Sequence, residues 1–99
     1  MGTRIETYIV VSELAGDDEV RAVTSALKEI IKDHDFQFWI WLPPRNSGEV
    51  RGETEHPELL SARAPRDWVY QFEDLCKAAV REHSATGKVN VEYDYPDFY

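Results

Sequence analysis

The run Phe36-Gln37-Phe38-Trp39-Ile40-Trp41-Leu42, stopped by Pro43-Pro44, constrains this chain more than any other stretch. Aromatic and β-branched residues suit a pleated, half-buried surface, and proline cannot donate to a ladder, so the run reads as a strand ending in a turn. Side chains alternate along a strand. Phe36, Phe38, Ile40 and Leu42 therefore share one face, and Gln37, Trp39 and Trp41 share the other. The first is expected to be the core face. A surface turned to water does not ordinarily carry two tryptophans, so the second requires either a covering layer or a partner.

Around this run the periodicity changes four times. Residues 4–14 read as a strand, with Ile5, Thr7, Ile9 and Val11 on one face and Glu6, Tyr8, Val10 and Ser12 on the other. Gly16 interrupts it, and Asp17-Asp18-Glu19 is a helix-start signal: Asp17 is placed to cap, and the other two suit the positive end of the helix dipole. Val20, Val23, Leu27, Ile30 and Ile31 then recur at helical spacing, which predicts a helix over 17–33. After the prolines, residues 49–55 alternate Val50, Gly52 and Thr54 with charged neighbours, as a second hairpin strand would. The rival is a long loop followed by a short strand at 59–63. A structureless loop of about 15 residues is uncommon in a small domain, which favours the hairpin.

Pro65 suits a first helical position, where its missing amide costs nothing. Trp68, Phe72, Leu75 and Ala79, widened by Val69, Cys76 and Val80, form the inner stripe of a helix over 65–85, with Gly87 as its stop. Residues 88–94 close the pattern as a strand with Val89, Val91 and Tyr93 inward. Two amphipathic helices need a surface to cover, and the order strand, helix, strand, strand, helix, strand supplies it. The expected fold is a two-layer α+β sandwich of ferredoxin-like βαββαβ type, a four-stranded antiparallel sheet with both helices on one face. That fold hosts many unrelated functions and selects none.

The 99 residues imply one domain, 1–99, able to bury a core without disulfide staples. A lone cysteine fits a reducing cytoplasm, and Met1-Gly2-Thr3-Arg4 does not begin a signal peptide. No apolar run approaches the ~20 residues of a membrane span. The net charge is −8, with 5 basic and 9 acidic residues in 1–50 and 6 and 10 in 51–99, so each half is −4. Direct binding to nucleic acid draws on clustered Lys and Arg, which this chain lacks, and anionic membranes are disfavoured for the same reason.

No catalytic, metal or cofactor motif stands out, and the reading is of a non-enzyme without a cofactor. His34, His56 and His83 are not spaced as ligands, and Cys76 on an inner stripe behaves as a small hydrophobe. Two features resist a purely structural account. Tyr8, Val10, Trp39 and Trp41 are expected on an outer sheet face among Glu6, Arg51, Glu53 and Glu92; either Arg51 covers a tryptophan by cation–π stacking, which makes the patch structural, or the aromatics ringed by polar groups form an interface hot spot. The C-terminus mixes Tyr95 and Phe98 with acids. The candidate protein-binding residues are Tyr8, Trp39, Trp41, Glu53, Glu92, Tyr95 and Phe98. The function expected from them is an acidic protein-binding module of the inhibitor, immunity or anti-restriction kind, acting on a basic, nucleic-acid-handling protein. The alternative is a dimeric α+β barrel in which two sheet faces meet and Trp39 and Trp41 line a cavity for a small organic molecule; a homodimer closed through the same face without a cavity is the third.

Overall fold

The computed structural model describes residues 3–34, 36, 39–55, 58–60 and 65–94, with backbone alone at 3, 4, 58–60, 65–69 and 94. The order is β1 (Thr3–Ser12), α1 (Asp17–Asp33), β2 (Trp39–Leu42), β3 (Val50–Thr54), β4 (Glu58–Leu60), α2 (Pro65–His83) and β5 (Lys88–Asp94). The sheet runs β2-β3-β1-β5, every pairing is antiparallel, and β4 joins the start of β1. This is the ferredoxin-like α+β fold.

Each helix buries one row of residues spaced by four: Val23, Leu27 and Ile31 on α1, and Phe72, Cys76 and Val80 on α2. They meet Ile9, Val11 and Val50 from the sheet in a single core. Both helices therefore lie on one sheet face. Leu75 belongs to a different row from Phe72, Cys76 and Val80 and stays 46% exposed, against the expectation that it is core. Ile30 is only partly buried, and the side chains of Trp68 and Val69, with Phe38, lie outside the described residues.

The tryptophan strand is turned over relative to expectation. Register sets Trp41 beside Gly52 and Gly52 beside Ile9, and sets Trp39 beside Thr54. Ile9 is fully buried, so Trp39 and Trp41 face the helices, while Ile40 lies on the opposite face at 37% exposure. The reason is volume. A Cβ on Gly52 would stand 2.7 Å from Trp39 Nε1, so the missing side chain is the space the indole occupies. Burying an indole removes more apolar surface from water than burying Ile40 would, at about 25 cal/mol per Å². Trp39 packs on Phe36 and Phe72 with ring centroids 5.0 and 6.2 Å away, and on Trp41 at 5.9 Å.

The stretch after the hairpin realises both strand readings. Tyr8 faces Glu53 and Ile5 faces Glu58, so three steps along β1 correspond to five on the returning chain. The extra residues break the ladder, and the stranded Thr7 amide donates instead to Thr54 Oγ1 at 3.2 Å. Caps also differ from expectation. Gly16, not Asp17, holds the N-cap position of α1, with no side-chain cap, and Glu19 Oε1 accepts the Ala15 amide at 3.2 Å. The Ser84 hydroxyl and that amide hold the Glu19 carboxyl below its ordinary pKa. α2 stops at His83; Ser84 Oγ accepts the Thr86 and Gly87 amides, and Gly87 is needed because a Cβ there would press on Val80 and Leu14.

Two substitutions on α2 test this placement of faces. Phe72→Ala should cost about 3 to 5 kcal/mol by urea denaturation, whereas Leu75→Ala should stay within about 0.5 kcal/mol of the parent. Equal losses would mean that α2 is rotated.

Candidate functional site

With the helices on one side, the other sheet face is built by register alone. One row across it reads Ile40, Glu53, Tyr8, Glu92, and the next reads Leu42, Arg51, Val10, Asn90. Side chains directly opposite on neighbouring strands lie within about 5.5 Å at Cβ, so Tyr8 stands between two carboxylates. Glu6 and Glu55 extend this acidic end, and all four glutamates with Tyr8 line a groove of about 370 Å³, completed by Thr7, Thr54 and Tyr93. The groove opens where the ladder breaks after β3.

The one cation in these two rows is withdrawn from solvent. Arg51 donates through Nε to the Tyr8 hydroxyl at 2.9 Å and through Nη1 to the Pro43 carbonyl at 3.0 Å. Glu49 Oε1 lies 3.7 Å from Arg51 Nε, and the two side chains are only 9% and 11% exposed. The same carboxylate accepts the Arg45 amide at 2.9 Å, which ties the turn after β2 to this cluster. At Gly48, φ is 72°, and a Cβ would collide with the Leu14 carbonyl, so the turn returns to the end of β1 only with glycine there. Sealed in this way, Arg51 stacks 5.8 Å from the Tyr8 ring centroid, not on a tryptophan as its sequence neighbours suggested. Tyr8 is therefore held rigidly, and the free charge around it is negative.

Of the sequence-derived candidates, Tyr8, Glu53 and Glu92 come together in one row. Trp39 and Trp41 do not join them; they lie on the helix side. Tyr95 and Phe98 are outside the described residues. Ile40, Leu42, Glu6 and Glu55 complete the outer surface, and for the first two the signal was Gly52, because a glycine inside a strand marks a close approach by a neighbour. Other polar groups have structural places. Cys76 is fully buried, and burial, with Glu73 nearby, pushes its thiol up to about 12, so it is not a nucleophile at neutral pH. His34 closes α1, its Nδ1 3.2 Å from the Ile30 carbonyl and its ring edge-on to Phe72. Among the described residues no group of three His, Cys, Asp or Glu is placed to hold a metal, and no helix is long and apolar enough to cross a membrane.

No protein-family model matches the chain, and no curated protein matches it. Among solved structures, the chain is similar to one titled as a domain of unknown function, DUF77, from Bacillus cereus, at 16% identity and a TM-score of 0.45, over 96% of this chain and 78% of that one.

The Arg51 cluster generates a stability prediction. Arg51→Ala removes the donor to the Tyr8 hydroxyl and the Pro43 carbonyl and the counter-charge of the buried Glu49 carboxylate, and should cost about 1 to 3 kcal/mol by chemical denaturation. A loss no larger than that of Arg21→Ala, whose pair with Asp18 is exposed at 77% and 99%, would show the cluster to be loose.

Proposed function

We propose that the chain is a non-enzymatic protein-binding module, of the inhibitor, immunity or anti-restriction kind, whose open sheet face takes a basic protein that handles nucleic acid. The observation that carries this reading is the row Glu53–Tyr8–Glu92, an aromatic held in place by Arg51 between two carboxylates. Carboxylates displayed on a sheet stand where phosphates would stand on a basic target, and like a phosphate backbone they steer a cationic surface into encounter. Tyr8 and Val10, with Ile40 and Leu42 beside them, supply apolar area for docking once that encounter has occurred. The barrel alternative drew its cavity lining from Trp39 and Trp41, and both rings lie on the helix side, so no observation favours it.

Capture from native extract on the immobilised chain, with Glu53→Lys/Glu92→Lys as the control surface, tests the reading. A basic protein should be retained by the parent and lost by the variant, with the variant's circular dichroism unchanged. For that protein, Glu53→Gln or Glu92→Gln should slow association and flatten its salt dependence, while Tyr8→Ala should speed dissociation by about 30-fold, the value for a hot spot of about 2 kcal/mol. Trp39→Ala should weaken the fold and leave the binding of folded molecules intact. Equal capture by parent and charge-reversed chains would overturn the proposal.

A further inference from the structure

The two edges of the sheet are built differently. β2 has four residues and runs into Pro43 and Pro44, a short and proline-closed edge of the kind that resists strand addition. β5 has seven residues, contains no proline, and keeps one unbroken register with β1 from Lys88 to Asp94. Among the described residues, β1 is the strand it pairs with. Half of its backbone amides and carbonyls therefore point away from the sheet. On the helix side of this edge Tyr70 is half exposed, its hydroxyl 3.3 Å from that of Tyr93, and Val89 and Val91 are only partly buried.

We propose that β5 pairs antiparallel with β5 of a second copy of this chain, about a twofold axis at Val91. That register sets Lys88 opposite Asp94 of the second copy, Asn90 opposite Glu92, Val89 opposite Tyr93, and Val91 opposite itself. Opposite charges, an amide with a carboxylate, and a β-branched residue with an aromatic are the cross-strand pairs that stabilise sheets. Because alternate residues point to the free edge, the register can slip only in steps that keep this alternation. A slip one way sets Glu92 against Glu92; a slip the other way drops Tyr93 and Asp94 from the ladder. The register centred on Val91 is thus the one that pairs all seven residues of β5 with each other, as an isologous interface allows. The resulting sheet runs β2-β3-β1-β5-β5-β1-β3-β2. This pairing does not rest on the outer face being a docking surface.

Sedimentation of the full chain over a wide concentration range tests the pairing. A reversible dimer is expected, and Lys88→Glu should raise its dissociation constant on the order of tenfold at low salt, since attraction turns to repulsion at two symmetric positions. Lys88 also holds Glu13 at 3.0 Å, so loss of that internal contact is a competing explanation. The exchange Lys88→Glu with Asp94→Lys separates the two: it restores the seam and leaves the Glu13 contact broken, so dimerisation should return. Val91→Cys should give a covalent dimer on mild oxidation, because Cys76 is fully buried. A monomer at every concentration, a dimer indifferent to Lys88→Glu, no recovery in the exchange, or no covalent dimer would each overturn the proposal.

Discussion

The seating of Trp39 over Gly52 decides the rest of this structure. A strand that is apolar on both faces can join a sheet either way up, and periodicity alone does not choose. The missing side chain at Gly52 leaves room for one indole, and Phe36 and Phe72 close around it. Once that ring is in, β2 has one orientation and one register. Alternation then carries Ile40 and Leu42 to the far face and aligns Glu53, Tyr8 and Glu92 there. A one-residue change in this register would exchange every residue of β2 between core and solvent. The chemistry of the open face is therefore a consequence of packing on the closed one. Among the described residues, buried Trp39 Nε1 has no hydrogen-bond partner, a cost the indole's apolar contacts must offset.

The open face then sorts its charges. Arg51 could have neutralised Glu53 or Glu92, but the turn after β2 folds against it and offers a carbonyl to Nη1, while Nε donates to the Tyr8 hydroxyl and the Glu49 carboxylate stands 3.7 Å away as its counter-charge. A cation satisfied in this way rigidifies Tyr8 and does not cancel the acidic end. The same hairpin turn blunts one sheet edge with prolines, and the opposite edge keeps a straight, seven-residue strand. The acidic surface thus follows from the turn between β2 and β3, which holds Arg51 away from the glutamates of the outer face.

The first helix and the last strand were legible nearly residue by residue. The spacing over 17–33 and the alternation over 88–94 coincide with α1 and β5, because each has one apolar side and one polar side. The errors fall where that contrast is missing. On α2 the stripe is broad enough that Leu75 and Cys76 were both candidates for its centre, and the contact with the sheet chose Cys76. At the ladder break, Thr54 plays a part no alternation signals: its hydroxyl takes over an amide that β-pairing has abandoned.

By itself, the sequence determined the element order, the two-layer α+β architecture, the first helix over 17–33 and the start of the second at Pro65, and the acidic character of the chain. These depend on local periodicity and composition, which a single chain displays in full. Only the tertiary structure decided which side of β2 is core, that Arg51 is spoken for, and that Tyr8, Glu53 and Glu92 stand in one row. Those facts depend on register between strands, near in sequence for Trp41 and Gly52 and distant for Tyr8 with Glu53 and Glu92, and register is set by how side-chain volumes fit across the sheet: an indole into the space that a glycine leaves.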